Sequence, residues 1–548
     1  MSDFVFLAPI AAAFLFASWY ILRQYLARSP LDNLPGPPSA SFFLGNVLEI
    51  TDHHSSQRWK QLVDKYGPVS TIPGMLGARM LHIADPRALH SILIKDMDSY
   101  PKSNAPVSDL HLLLGPGLVT TEGAQNRKQR KLLTPVFSVA NLRNMTDIFY
   151  GVAHRLHKAV EARVEVEVGG VVDVHGWMAR VTLEMLGQAG LGYSFDNFID
   201  DSTDAYGRSL KMFFPVLSRI IPVVFLIPKL SYVLPKWLLE KALRAVPHAD
   251  VRHMMQISDT MAQRSLEIIN EKKSALLKGD EALAHQVGEG KDIMSLLLKA
   301  NTAASDVEKH TDEELVAQMT TIILGGMETT SNALCRIIHL LAENPDVQER
   351  LRAEIAEASG GEDLPYDDLV KLPYLEAICR ETMRLYAPGQ FIPREAAKDT
   401  TLPLLNPMRT RDGSVVTEVP VPKGTMLLLH LTGCNTNRDL WGDDVYEWKP
   451  ERWLEKLPSA LDGARIPGVY SNIMTFSGGP RSCIGFKFAL LEIKVVLAVL
   501  LSTFKFETTS ERPIIWKSAS AVLYPTAGEK STRPEMFLKL IRIAQASH

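Results

Sequence analysis

The stretch Phe476-Ser477-Gly478-Gly479-Pro480-Arg481-Ser482-Cys483-Ile484-Gly485 decides how the rest of this 548-residue chain is read. A glycine-rich turn carries one cysteine and leads straight into the apolar run 486–501, which has the length of a buried helix. A thiol at or just before a helix N-terminus meets unsatisfied N–H groups and the positive end of the helix dipole, and both favour thiolate over thiol. Glycines on either side let the backbone come close to the sulfur. Arg481, two residues earlier, is placed to meet an anionic group. A thiolate in that setting is suited to hold a metal centre through one axial position. An isolated cysteine is more often a small buried apolar group; the surrounding decapeptide is what sets this one apart.

Composition bounds the remaining choices. Lys+Arg 59 against Asp+Glu 62 leaves a formal charge of -3, which removes the basic excess expected of a nucleic-acid binder. With 46% hydrophobic and 22% charged residues, the chain reads as globular rather than disordered or fibrous. The other cysteines, Cys335, Cys379 and Cys434, are too few and too scattered for a disulfide scaffold or a C-x-x-C zinc pair.

The first residues read as a membrane anchor. From Phe4 to Leu22 there is no charge, and a helix of that length nearly matches the roughly 30 Å hydrocarbon core. Trp19 and Tyr20 fall at its far end, where amphipathic rings favour the interface. A cleaved signal peptide would have a shorter apolar stretch and a basic start, whereas the only charge ahead of this one is Asp3. Arg23 and Arg28 follow, which places the downstream body in the cytosol, so the sequon at Asn144 is expected to stay unmodified. Residues 1–28 are thus expected to be the anchor. Residues 29–38, with Leu34-Pro35-Gly36-Pro37-Pro38, form a stiff hinge. Residues 39–548 form one body, with the polar stretch 278–291 as an exposed loop.

Most of that body reads as helix. Thr311-Asp312-Glu313-Glu314 has the form of a capping box, and the pattern that follows meets no proline until Pro345. At helical rise that stretch is about 50 Å long, enough to cross a whole domain. Further helices are expected near 124–134, 144–166, 176–190, 256–277, 346–358, 367–386 and 485–502, and short strands at 69–72, 80–83, 425–430 and in the last forty residues or so. The expected class is mainly α with a small β portion. The apolar stretch from Phe213 to Leu239 is broken by Pro215, Pro222, Pro228 and Pro235, which argues against a second spanning helix. It reads either as core or, the favoured reading, as a lid dipping into the membrane interface.

Taken whole, the decapeptide resembles F-x-x-G-x-R-x-C-x-G of the cytochrome P-450 haem-thiolate monooxygenases at every specified position. Glu381-Thr382-Met383-Arg384 is similar to the E-x-x-R of that family's K helix. Pro450-Glu451-Arg452-Trp453 resembles its P-E-R-F segment, with Trp for Phe, so that Arg452 would join Glu381 and Arg384. Gly325-Gly326-Met327-Glu328-Thr329-Thr330 resembles the A/G-G-x-D/E-T-T motif of the long I helix. Two glycines there cost roughly 1 kcal/mol each relative to alanine, which points to close approach or local unwinding. Leu404–Pro422 ahead of Lys423 is similar to fungal members of the microsomal class.

The resemblance implies a P-450 fold preceded by one transmembrane helix, and heme b bound through Cys483. Thr329 and Glu328 would be the catalytic pair that handles O2 and its protons. For Thr329 the plain alternative is a bond back to a carbonyl one turn earlier. Phe476, Gly479, Arg481 and Gly485 would cradle the haem, with Arg130 and Arg394 meeting its carboxylates. Arg130 stands in W-x-x-x-R, but Asn126 replaces the tryptophan. Of Arg127, Lys128, Arg130 and Lys131, at least two are expected to be plain solvated charge. A thiolate ligand favours O–O cleavage over reversible O2 binding, so the implied reaction is oxidation of a hydrophobic small molecule such as a terpenoid, steroid, fatty acid or aromatic, in secondary metabolism or xenobiotic oxidation. Electrons would come from NADPH through a cytochrome P-450 reductase, with cytochrome b5 as a further donor, docking near Lys128, Lys131 and Lys487. The implied location is the endoplasmic reticulum membrane, with the catalytic body in the cytosol. By analogy the pocket would draw on 107–118, 213–239, 322–326, 390–392 and 518–522. Two other classes stay in view: a reductase-independent haem-thiolate isomerase or dehydratase, and a non-catalytic haem-binding membrane protein.

Overall fold

The computed structural model describes residues 19, 25–199, 205–278, 287, 290–519 and 522–543. Nearly all of the expected anchor lies outside them, as does much of the loop 278–291. The fold is mainly helical with a small sheet portion.

The helix Asp312–Glu343 runs unbroken through the middle of the molecule. Its start is set by the capping box: Thr311 Oγ1 accepts the Glu314 N–H, and the Glu314 carboxylate accepts the Thr311 N–H. Pro345 begins the next helix, Pro345–Ser359, in the position where a missing N–H costs nothing. The double glycine at 325–326 does not unwind the helix; it stays α throughout.

Other helices fall close to their expected places, at Gly123–Leu133, Val139–Val166, Val174–Met185, Ala249–Lys278 and Phe486–Leu501. The region 367–386 differs. It is divided into Tyr366–Leu369 and Pro373–Leu385, because Pro373 lacks the N–H that would continue the first piece. The central helix is walled by Val174–Met185 on one side and by Phe486–Leu501 on another, and these share one large hydrophobic cluster.

The small sheet has four strands in the order Val69–Pro73, Arg79–Ile83, Met426–His430, Phe391–Glu395, with the middle pair parallel and the outer pairs antiparallel. Thr400–Arg409 and Val415–Val421 form a separate hairpin. Near the C-terminus, Ile514–Ala519 pairs with Val522–Ala527. Phe537–Arg542 lies between Phe504–Thr508 and Val171–Asp173.

The proline-broken segment is helical. Ala205–Arg219 and Ile221–Leu230 follow one another, with an 80° bend between 209–219 and 221–230, and Lys236–Ala245 comes after. Its inner face is core: Val224 and Ile227 enter the main cluster, while Ile221 and Phe225 enter the cluster beneath the small sheet. Its outer face carries exposed Leu226, Leu230, Tyr232, Val233 and Trp237. The core reading therefore holds for the inner face. Among the described residues no single helix is long and apolar enough to cross a membrane.

Candidate functional site

The cysteine turn is closed by its own backbone. The Cys483 N–H donates to the Phe476 carbonyl at 2.9 Å, and the Phe476 ring packs between Tyr470 and Phe486 at centroid distances of 5.6 and 5.8 Å. Gly479 sits at φ +68°, and a Cβ there would lie 2.3 Å from the Leu93 carbonyl oxygen, so only glycine fits. Gly485 is the N-cap of Phe486–Leu501 at an ordinary φ of -94°, and its contribution is an N–H lying against the Cys483 sulfur.

Of the four cysteines Cys483 alone is solvent-accessible; the other three are buried. Protein atoms packed around the sulfur push its pKa up, with the Gly485 N–H and Arg130 opposing. The helix end alone therefore does not make a thiolate here. A bound metal ion deprotonates a thiol outright, and that is the stronger force.

Cations gather beside the turn. Arg130 reaches across from Gly123–Leu133 to donate to the Ser482 carbonyl at 2.8 Å and to its hydroxyl at 3.3 Å, with its charge facing Cys483. Arg481 is nearly buried and ion-paired with Glu122. Arg394 is buried; desolvation holds it down to about 10, with Arg481 adding to the drop and Glu122 resisting it. Lys102 completes the group. Burial drives its pKa down to about 7, Glu122 opposes, and Arg481, Arg394 and Arg130 add to the drop. Its ammonium donates to the Leu118 carbonyl at 3.2 Å. Asn126, where the resemblance wanted tryptophan, is buried and donates to that same carbonyl at 2.8 Å. It ties the Leu118 loop instead of offering an indole.

Three arginines and the carboxylate Glu122 thus gather around Lys102. Buried charge of one sign carries a desolvation penalty that an anionic ligand relieves. A haem, with an iron for Cys483 and two carboxylates for the cations, fits this donor set. Lys102 and Glu122 were not marked in the sequence, because Tyr100-Pro101-Lys102 and Thr121-Glu122-Gly123 carry no pattern of their own.

The central helix supplies a second surface. Nearly everything along its middle is buried, but Ile322, Gly325, Gly326 and Thr329 are not. The two glycines do different things. A Cβ on Gly326 would come within 2.9 Å of Leu186 Cδ2, so Gly326 lets a neighbouring segment pack close. A Cβ on Gly325 would meet no atom within 4 Å, so Gly325 leaves open space. Thr329 lies one turn on, and its hydroxyl donates to the Gly325 carbonyl at 2.7 Å. The back-bond is therefore present, and it leaves the oxygen lone pairs free to accept from the open side. Glu328 is buried, and burial raises its pKa to about 7, with Lys211 and Asn332 opposing.

The segment 107–118 is tied both to the central helix and to the segment 213–239. Gly117 presses on the central helix so closely that a Cβ would lie 2.5 Å from Thr321 Oγ1, and the Leu118 N–H donates to Gln318 at 3.0 Å. Val107 N–H donates to Ser231 of the proline-broken segment at 3.3 Å. On another side, Gly389 bridges to Val522 and the Gln390 amide donates to Ser56 at 2.9 Å.

Behind the cysteine turn, Glu381 is fully buried. It accepts from Arg384 at 2.7 and 2.8 Å, from Arg452 at 3.4 Å and from the Trp453 indole at 2.9 Å. Trp453 thus adds a donor that phenylalanine lacks. On the basic surface Arg127 and Lys131 are exposed, whereas Lys128 is partly covered and Arg130 belongs to the site. Lys128 pairs with Glu314 and Lys131 with Glu308, which lowers the free positive charge that either offers to a partner. Lys487 is exposed.

A family model described as cytochrome P-450 matches residues 35–530. The chain is similar to a ganoderic acid synthetase of Ganoderma lucidum, 57% identical over 549 residues and covering 99% of each chain. It is also similar to two cytochrome P-450 monooxygenases of Postia placenta. One, numbered 91, is 47% identical over 96% of this chain and 97% of the relative. The other, numbered 81, is 46% identical over 95% of each.

Proposed function

The chain belongs to the cytochrome P-450 family, the haem-thiolate monooxygenases, and from that premise we propose that it is a membrane-anchored enzyme that oxidises an apolar small molecule of secondary metabolism. Electrons come from NADPH through a separate reductase, with cytochrome b5 as a further donor, and the working place is the cytosolic face of the endoplasmic reticulum. One relative is named for making an acid, so the proposed reaction extends to repeated oxidation of one carbon, from methyl to alcohol to aldehyde to carboxylic acid. Each oxygen insertion consumes one O2, two electrons and two protons and releases one water.

The observation that carries this reading is the cysteine turn with its four cations, Lys102, Arg130, Arg394 and Arg481. Cys483 would hold the haem iron, and the cations would hold its carboxylates. Bound there, haem supplies the oxygen-activating chemistry. The chain's own residues do the rest. Gly325 keeps the helix face open, Thr329 accepts a hydrogen bond on that face, and Glu328 holds a proton that it passes on through water. The 107–118 segment, pinned to the central helix and to the lid, shapes the substrate side.

Support for the membrane setting comes from the apolar surface. Leu226, Leu230, Tyr232, Val233 and Trp237 are exposed on the lid. Phe42 and Phe43 are exposed beside Tyr25, where the chain emerges from the anchor, with Tyr25 stacked on Phe42 at 4.6 Å. Surfaces of this kind favour the headgroup boundary.

The test is expression of the full chain with a reductase, NADPH and a panel of apolar extracts, read by mass spectrometry for products that gain one oxygen atom. The reduced, CO-bound spectrum should carry the thiolate signature and lose it in Cys483→Ser. Protein that binds no haem, or that keeps the signature in the variant, would falsify the reading.

A further inference from the structure

Arg336 lies seven residues beyond Thr329 on the central helix, which places it two turns and about 10 Å along the same face. It has no acid to pair with. Among the described residues no hydrogen bond or ion pair reaches its guanidinium, and its Nε is buried without a partner. Burial lowers its pKa to about 9, with Tyr386 and the Glu343 carboxylate opposing. A cation withdrawn from water without a counter-ion costs free energy, so something else must favour it there.

Two aromatic rings do. The guanidinium carbon lies over the Trp516 ring, 3.6 Å from its centroid, and over the Tyr386 ring at 4.2 Å. The negative face of a ring attracts a cation, more strongly once both are desolvated. A planar guanidinium can stack in this way where an ammonium cannot.

The rings belong to two separate pieces of chain. Tyr386 closes the helix Pro373–Leu385, with its N–H on the Thr382 carbonyl at 2.8 Å, and stands four residues before Gln390. Trp516 lies in the strand Ile514–Ala519, two residues before Ser518. Its indole donates to Nδ1 of His339, three residues after Arg336 on the central helix, at 3.1 Å. Burial, with Arg336 adding, holds His339 down to about 4, so the ring stays neutral and keeps an acceptor for Trp516. Further along, the same two pieces are joined to each other. Gly389 bridges to Val522, and the Leu523 N–H donates to the Pro388 carbonyl at 3.0 Å.

We infer that Arg336 is a positioning residue for the oxidation: stacked on Trp516 and Tyr386, it fixes the segment 386–392 and the strand Ile514–Ala519 against the central helix, and so sets which atom of an apolar substrate meets the Gly325–Thr329 face. The inference rests on the proposed function, in which 390–392 and 518–522 wall the pocket. Arg336 itself does not touch the substrate. It acts at the base of both walls, and their pocket ends move with it.

The test uses the full-length, haem-loaded protein. N-dodecylimidazole binds iron through its ring and must also lay its chain in the pocket, whereas imidazole needs the iron alone. Arg336→Leu should weaken the first about fivefold, the order expected when binding has to immobilise a loosened wall side chain, and leave the second unchanged. Arg336→Lys keeps the charge without the planar stack and should behave like Arg336→Leu. Tyr386→Phe keeps the ring face and should behave like the wild type. Amide hydrogen exchange should quicken in 514–519 and 522–527 in both Arg336 variants. In turnover of the apolar panel the ratio of positional isomers should shift, while the CO-bound thiolate signature stays. Trp516→Leu, which removes a ring instead of the cation, stands in if Arg336→Leu does not fold. Unchanged affinity for N-dodecylimidazole, or equal weakening of imidazole, overturns the inference. A lower urea midpoint with exchange and isomer ratio unchanged marks a merely structural residue and overturns it as well. Wild-type protein that forms no product sinks the proposed reaction instead, because the exchange and the imidazole pair read the clamp without turnover.

Discussion

Replacing Gly325 by alanine should make the protein more stable and a worse enzyme. In a helix interior glycine is about 0.8–1 kcal/mol less favourable than alanine. The added methyl would meet no protein atom within 4 Å, so no packing strain offsets the gain. About 1 kcal/mol is a fivefold shift in the folded-to-unfolded ratio, and a urea titration of the haem-loaded chain should register it as a higher midpoint. That methyl also projects from the open face of the central helix that Thr329 shares one turn on, with its hydroxyl held on the Gly325 carbonyl at 2.7 Å. Misplacement by as little as 1 Å can cost on the order of a hundredfold in rate, so product formed per NADPH consumed should fall, on the order of tenfold, with the balance appearing as hydrogen peroxide. Gly326→Ala is the internal control. Its methyl faces Leu186 Cδ2 at 2.9 Å, a flexible side-chain end that can turn aside, with a loss that offsets the helix gain. It should change stability little and coupling hardly at all. The reasoning is refuted if Gly325→Ala lowers the midpoint, or if coupling drops in Gly326→Ala and not in Gly325→Ala.

Three further outcomes follow from the same geometry. Glu381→Gln leaves Arg384 and Arg452 buried without their carboxylate, and breaking such a set costs about 3–5 kcal/mol; an unchanged urea midpoint would exclude this. Gly479→Ala combines a left-handed backbone, costing about 1–2 kcal/mol, with a backbone clash at Leu93, so the purified variant should lose haem on gel filtration, and full retention would contradict it. Acid should destabilise the fold through buried, neutral histidines: burial holds His430 and His175 at about 3 and His82 well below its ordinary value. The unfolded chain takes up protons below about pH 6.5 and the folded one does not, so this stability is whole above that pH and falls by about 1.4 kcal/mol per unit and per histidine below it. Denaturation at pH 7.5 and 5.5 measures the loss, and a flat response would remove the histidines from the account.

Much of the site was legible because its chemistry is local in the chain. The cysteine turn, the double glycine with Glu328-Thr329 and the Glu381–Arg384 pair each lie within a few residues, where dihedral preference and helical spacing dictate geometry. The capping box at Thr311 and the stop at Pro345 set the ends of the central helix for the same reason. The proline-broken segment was harder. Each proline could be placed, but which face turned inward depended on two hydrophobic clusters formed by distant parts of the chain.

What the sequence determined by itself was the mainly helical class, the thiol that would bind iron and the glycine–threonine motif on the open face of the central helix. What only the tertiary structure decided was the company those residues keep. Lys102 and Glu122 join Arg130, Arg394 and Arg481 from separate elements. Helix dipoles and turn geometry act over a few bonds and can be read along the chain. Desolvation and the Coulomb field depend on what surrounds a group in space, and for Cys483 burial proved the larger effect, opposing the thiolate that its place in the sequence favours.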